Sequence, residues 1–377
     1  MLGATPPREM GSMIKRVLFA GGGTGGHIFM AVALARELEK QAPGVEVLFV
    51  GARKGMGNEI VPALGFRFQT LNIGGFKGVG LFRAALTLLQ IPGSLLSSWR
   101  MIRAFSPSII VGLGGYSSGP IMLAGKALGF PGLLIEPNVQ PGFTNRVLKH
   151  WVDAAAVAFE ETARWFGKKS RLTGIPVRQE FHQVSSKISR DGPLCLLVFG
   201  GSQGSSPINQ LVCEALPFLS PTGEIKIVHQ TGRTDYLSVK KRYQQAEFEA
   251  EVIEFIQDMP AYFSGADLIL SRAGASSVAE IAAAGRPSIL IPLPHATDDH
   301  QRMNARALVQ KGAALSLEES ETTGEALARL LVEFARNRDR LDQMAHASRE
   351  LAHPDSRTKI IELMEEVAGG VHNTGSR

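Results

Sequence analysis

Two glycine-rich turns constrain this chain more than any other feature. Gly21-Gly-Gly-Thr-Gly-Gly26 follows a short apolar run at 16–20, and Gly200-Gly-Ser-Gln-Gly204 follows another at 194–199. Each turn leads into a helical apolar pattern, at 31–38 and 208–216, and then into a further apolar run, at 45–50 and 225–229. Strand, glycine turn, helix, strand opens a doubly wound unit, and here it occurs twice. Runs at 108–113, 132–135 and 154–159 read as more buried strands of the first unit, and 252–255, 268–271 and 288–292 of the second. The pattern predicts an α/β chain of two Rossmann-like domains whose parallel sheets face each other across a cleft. The proline-bearing stretch from Gly174 to Pro193 is the expected linker, and 358–368 an amphipathic closing helix.

Composition excludes several classes. A length of 377 residues with 44% hydrophobic content suits two globular domains. Cys195 and Cys213 are too few for a disulfide framework and fit a reducing compartment, with Cys195 expected as a small core residue. The first dozen residues lack the apolar core of a signal peptide. The longest uncharged run, 104–125, is broken by Pro107, Pro120 and several serines and glycines, so it is not built as a membrane span. From Ile60 to Ile135 there is no acid, yet Arg67, Lys77, Arg83, Arg100, Arg103 and Lys126 remain. About seven acids are expected in such a window at the chain's average, so an anionic partner is indicated; buried helices explain the missing acids but not the retained bases.

The glycine turns suit phosphate, because backbone amides approach closely and a helix N-terminus adds partial positive charge. Dinucleotide binding calls for an acid at the end of the second strand, where Arg53 and Gln230 stand instead. No Walker Gly-Lys-Ser/Thr and no Asp-x-Asp occurs, so amides and cations rather than a metal are expected to neutralise a diphosphate. In Ser271-Arg-Ala-Gly-Ala-Ser-Ser-Val-Ala-Glu280, Ser277 and Glu280 have capping-box spacing. The other reading takes a helix start at Ser276 or Ser277 whose first turn offers Glu280 to the two hydroxyls of a ribose. Gln301 and Asn304 share a helical face and offer amides to sugar hydroxyls, or else form a solvated helix start. His295, Asp299 and His300 match no standard metal spacing. His27, at the amino end of the first helix, is favoured as a neutral imidazole: a satisfied polar residue or a general base.

Taken together, Gly22-Gly-Thr-Gly-Gly-His27, Gly114-Gly-Tyr-Ser-Ser-Gly-Pro120, Glu136-Pro-Asn138, Thr173-Gly-Ile-Pro-Val-Arg178, Gly200–Gly204, Ser271–Glu280 and His300-Gln301…Asn304 occur in the order and spacing of one family. From about Lys15 to Ala368 the chain resembles the MurG family of UDP-N-acetylglucosamine:undecaprenyl-pyrophosphoryl-muramyl-pentapeptide N-acetylglucosaminyltransferases. The resemblance implies the GT-B fold, with 14–177 as acceptor and membrane domain, 178–356 as donor domain, and a helix at about 357–369 packing back on the first. It implies a donor site lined by Thr24, Gly25, Gly26, Asn138, Arg178, Ser202, Ile256, Ala275, Ser276, Ser277, Val278, Ala279, Glu280, Gln301 and Asn304. In it Ile256 meets the uracil through its backbone, Glu280 the ribose and Ser202 the diphosphate. Three positions depart from the family pattern: Ile135 stands for a usual His near the cleft, Met30 for Pro and Ile175 for Asn.

The implied reaction is inverting: the muramyl 4-hydroxyl of lipid I attacks the anomeric carbon of N-acetylglucosamine opposite UDP, giving lipid II, with His27 and Glu280 as the catalytic pair. The loop Gly114, Gly115, Tyr116, Ser117 and Ser118 is expected to hold the acceptor pyrophosphate. Phe76, Lys77, Val79, Leu81, Phe82 and Arg83 read either as a packed loop or as a patch that dips into an anionic membrane. Expected partners are UDP-N-acetylglucosamine, lipid I and the membrane surface, with no nucleic acid, no metal and no cofactor. The expected location is peripheral, on the cytoplasmic face of the plasma membrane. A UDP-sugar lipid glycosyltransferase with another acceptor, or a UDP-N-acetylglucosamine epimerase, are the alternatives.

Overall fold

The structure, a computed structural model, describes residues 14–22, 25–53, 55–74, 81–219, 223–294 and 296–372, with side chains except those of 81–89, 297, 371 and 372. Two parallel sheets organise it. The first contains β1 (Arg16–Ala20), β2 (Glu46–Ala52), β3 (Arg67–Leu71), β4 (Ile109–Gly112), β5 (Gly132–Glu136), β6 (Ala154–Val157) and β7 (Ser170–Leu172), ordered β3-β2-β1-β4-β5-β6-β7. The second contains β8 (Leu194–Phe199), β9 (Ile225–Gln230), β10 (Ala250–Ile253), β11 (Leu268–Ser271), β12 (Ser288–Leu290) and β13 (Ala314–Ser316), ordered β10-β9-β8-β11-β12-β13.

The inner strands are runs of Val, Ile, Leu and Ala because helices cover both faces of a parallel sheet. On β1, Val17, Leu18 and Phe19 are fully buried, and Phe19 stacks on Phe49 of β2 at 5.1 Å. Each such side chain contributes about 1.5–3 kcal/mol by leaving water. The edge strands β3, β7 and β13 were not legible as strands: Arg67-Phe-Gln-Thr-Leu71 is mostly polar, as an edge with one wet side permits.

Two other expectations change. The stretch from Gly174 to Pro193 is not a loose linker: its helix Gln179–Gln183 buries Phe181 edge-on to Phe263 at 5.0 Å, inside the second core. Cys195 is half-buried, not core, although Cys213 is buried. The uncharged run 104–125 is divided between the end of helix Leu81–Phe105, β4 and the start of helix Ser118–Ala127. Among the described residues no helix is long and apolar enough to cross a membrane. The closing helix, Ser356–His372, crosses back to the first sheet, where Ile360, Ile361, Met364 and Ala368 share a core with Val17, Phe19 and Leu34. There Arg171 grips Glu366 with two hydrogen bonds of 3.0 and 2.8 Å.

Candidate active site

In each sheet the strand order reverses beside its first strand, between β1 and β4 and between β8 and β11. Loops diverge at such points and leave a crevice at the carboxyl ends of the strands. The glycine turns sit there for steric reasons. Gly21 has φ of +122°, and a Cβ on it would lie 2.5 Å from the Gly114 carbonyl of the neighbouring β4 loop. Gly204 has φ of +76°, and its Cβ would lie 2.1 Å from the Thr231 carbonyl. No other residue fits either place.

The two crevices face each other and touch. A Cβ on Gly25, the first residue of helix Gly25–Gln41, would lie 3.4 Å from Ser202 Oγ of the second glycine turn. A Cβ on Gly26 would lie 2.4 Å from Ser276 Oγ at the start of helix Ala275–Ala284. Two helix N-termini and a glycine turn thus converge, and the amides of the first turn of each helix lack intrahelical partners. Arg146 closes the same interface through a 3.0 Å ion pair with Asp298.

His27 lies third in its helix and is half-buried. Burial, then the charge of His300, lowers its pKa to about 4, so the imidazole is neutral at physiological pH. The sequence expected neutrality from the helix N-terminus; desolvation is the larger cause here. Glu280 lies in the second turn of helix Ala275–Ala284, one or two residues further in than expected, because Gly274 is the N-cap in extended backbone with no side-chain cap. No capping box forms, so the carboxyl is not consumed there. Burial pushes it up to about 7, against the opposing charge of Arg178.

Other expected residues divide by what their polar atoms already do. Ser202, Arg178, Ala275, Ser276 and Ser277 line the cleft from the second sheet with exposed or half-exposed surfaces. Val278 is corrected: the residue is 2% exposed, in the core, and its N–H is given to Gly274 O at 2.9 Å. Ala279 packs between the cores of the two halves. Gln301 spends its oxygen on the Leu293 N–H at 3.0 Å. Asn304 is corrected more strongly: it is fully buried, accepts the Val139 N–H at 3.1 Å and donates to Asn138 Oδ1 at 3.1 Å and Ala273 O at 3.2 Å. It is a clasp between the two halves, not a free sugar contact.

Asn138 is occupied by the same clasp and by Glu136, whose Oε1 takes its N–H at 3.0 Å and its Nδ2 at 3.1 Å. Glu136 Oε2 takes Gly142 N and Asn145 Nδ2 at 3.0 and 2.9 Å, so this 1%-exposed carboxyl organises a loop. Ile256 has its N–H donated to Gln230 Oε1 at 3.0 Å, which leaves the carbonyl. On the β4 loop Gly115 and Tyr116 are exposed, whereas Gly114 and Ser117 are buried and Ser118 Oγ is bound to Gly115 O at 2.9 Å. Ile135, Met30 and Ile175 are core residues, so the Ile135 departure does not alter the cleft wall. Thr24, His295, Phe76, Lys77 and Val79 lie outside the described residues, as do the side chains of Leu81, Phe82 and Arg83. Among the described residues no group of three His, Cys, Asp or Glu is placed to hold a metal ion.

Sequence reasoning missed Gln230, Glu136 and the Arg146–Asp298 pair as site organisers. Gln230 was visible as the residue standing where a ribose acid would; the ion pair joins separate loops and had no local signal.

Residues 17–157 match the N-terminal domain, and 195–360 the C-terminal domain, of glycosyltransferase family 28. The chain is 43% identical over 356 residues to the UDP-N-acetylglucosamine--N-acetylmuramyl-(pentapeptide) pyrophosphoryl-undecaprenol N-acetylglucosamine transferase of Anaeromyxobacter sp. strain Fw109-5, covering 93% of each chain. It superposes on the crystal structure of Acinetobacter baumannii MurG with a TM-score of 0.77 at 31% identity, over 93% of this chain and 99% of that one. A UDP-N-acetylglucosamine 2-epimerase matches with a TM-score of 0.64 over 94% of this chain and 97% of that one, but at 12% identity, a likeness of fold alone.

Proposed function

This chain belongs to the UDP-N-acetylglucosamine--N-acetylmuramyl-(pentapeptide) pyrophosphoryl-undecaprenol N-acetylglucosamine transferases, the MurG family, and from that premise we propose how its cleft works. The enzyme moves N-acetylglucosamine from UDP-N-acetylglucosamine to the muramyl 4-hydroxyl of lipid I, forming lipid II for peptidoglycan. The observation that carries the mechanism is the meeting of Gly25 and Gly26 with Ser202 and Ser276.

UDP lies on the second half. Ile256 meets the uracil and Glu280 the ribose. The diphosphate rests between Ser202 and the free amides of Ala275, Ser276 and Ser277, with Arg178 beside it. Negative charge growing on the leaving diphosphate meets fixed N–H dipoles and a guanidinium, so no metal is required. His27 faces this charge from the first half. Its pKa of about 4 makes it a weak base, and an adjacent diphosphate raises that value by charge attraction. The neutral imidazole then accepts the proton of the attacking hydroxyl, and one displacement inverts the anomeric carbon. Exposed Gly115 and Tyr116 offer the β4 loop to the acceptor pyrophosphate.

The lipid acceptor places the enzyme peripherally on the cytoplasmic face of the plasma membrane. Supporting this, helix Leu81–Phe105, inside the acid-free stretch, exposes Leu96 and Trp99 beside Arg100 and Arg103, with the Arg103 guanidinium 4.2 Å from the Trp99 ring. In the sequence, Phe76–Arg83 carries the same mixture of apolar and basic residues. An epimerase needs carboxylates flanking the sugar, and Glu136 is committed to its loop. The test is incubation of pure protein with labelled UDP-N-acetylglucosamine and a soluble lipid I analogue, with and without EDTA. Transfer to β-linked disaccharide in both arms supports the mechanism. Transfer lost with EDTA overturns the metal-free step, and sugar released or epimerised without transfer overturns the whole.

A further inference from the structure

We infer that Gln230 is a positioning residue of the donor site that also selects the base; the inference rests on the donor reading above. Gln230 ends β9 and is 1% exposed. Its Nε2 donates to Gly201 O at 3.0 Å, beside Ser202, and its Oε1 accepts the Ile256 N–H at 3.0 Å. One amide therefore spans the loop assigned to the diphosphate and the loop assigned to the base.

The surroundings make this a rigid corner. Thr231 N and Gly232 N extend the sheet ladder to Ile253 O and Glu254 O at 3.0 and 3.1 Å, after which the chain leaves the sheet and the Gln230 side chain takes the Ile256 amide. A Cβ on Gly232 would lie 2.3 Å from the Gln203 carbonyl, so the backbones pack without side chains between them. A buried amide with both ends paired fixes its partners, because leaving either unpaired is costly.

The chemical consequence is selectivity. With the Ile256 N–H engaged by Gln230 and the residue 4% exposed, the carbonyl is the hydrogen-bonding group Ile256 has left for a base. A carbonyl accepts from uracil N3–H and opposes the lone pair at cytosine N3. Without Gln230 the freed N–H becomes a donor that tolerates cytosine.

Calorimetric titration of UDP and CDP into wild type, Gln230→Leu and Gln230→Glu tests this, with melting temperatures recorded for all three. Gln230→Leu loses both bonds and is expected to bind UDP about tenfold more weakly, with the CDP-to-UDP Kd ratio reduced at least about fivefold. Gln230→Glu keeps the acceptor for Ile256 but loses the donor to Gly201, so UDP weakens while the ratio holds. For both variants KM for UDP-N-acetylglucosamine rises more than kcat falls. Equal UDP affinity in Gln230→Glu, or an unchanged ratio in a folded Gln230→Leu, overturns the inference; should Gln230→Leu not fold, Gln230→Glu alone decides. Wild type binding UDP and CDP equally overturns base selection, and wild type binding neither overturns the donor reading itself.

Discussion

Gly26→Ala is the most informative single perturbation of the cleft. Gly26 is the second residue of helix Gly25–Gln41 and does not have a positive φ, so its backbone accepts alanine. Within a helix that change alone stabilises by up to about 1 kcal/mol. Space is what forbids it. The new methyl falls 2.4 Å from Ser276 Oγ and 3.3 Å from Ser276 Cβ. Rotating the serine hydroxyl relieves the first contact, but the second still forces the two helix ends apart by a few tenths of an ångström, at an overpacking cost of about 1–3 kcal/mol. That displacement separates His27 from the donor loops, and misplacement on the order of 1 Å costs roughly 100-fold in rate. Expected is a loss of kcat/KM of about 3- to 10-fold, scaled from the same estimate, with little change in melting temperature. Ser276→Gly removes the obstructing atoms. In a double-mutant cycle the pair is expected to recover at least about 1 kcal/mol relative to the sum of the single changes. Wild-type kcat/KM in Gly26→Ala, or additive losses in the pair, would refute the interdomain contact as the organiser of the site.

Four further outcomes follow. His27→Ala is expected to lower kcat about 10²- to 10⁴-fold with donor KM within a few-fold, measured by steady-state transfer. Glu280, held near pH 7 by burial, ionises as pH rises through neutrality, so kcat/KM for the donor rises between pH 6 and 8 and Glu280→Gln flattens that rise. Because the folded value lies above the unfolded one, the folded state loses stability as pH climbs from about 4.5 to 7; Glu280→Gln is therefore expected to melt higher than wild type at pH 8 but not at pH 4.5. Asn304→Ala leaves the Val139 N–H and Asn138 Oδ1 without their partner and is expected to cost about 1–3 kcal/mol in denaturant unfolding, with Asn138→Ala coupled to it rather than additive.

Much of the architecture could be read from apolar runs beside glycine turns, because parallel strands buried on both faces have no alternation to blur them. β3 and β7 escaped because edge strands keep polar side chains, and β13 because three residues carry too little pattern. His27 and Glu280 were legible as candidates from their place at a helix start, but not their surroundings. Ser277 and Glu280 have capping-box spacing, yet Gly274 takes the cap position and sets the helix start one or two residues earlier than read. Asn304 shared a helical face with Gln301, which made it look solvent-facing. Its partner Asn138 is 166 residues away, and no local pattern reveals that the two amides close on each other.

A crystal structure with UDP bound tests the central claim most directly. The diphosphate is expected between Ser202 and the amides of Ala275–Ser277, with uracil against Ile256 and the ribose hydroxyls on Glu280. A nucleotide seated on the first sheet away from these groups, or a diphosphate held by a metal ion instead of main-chain N–H groups, would contradict it.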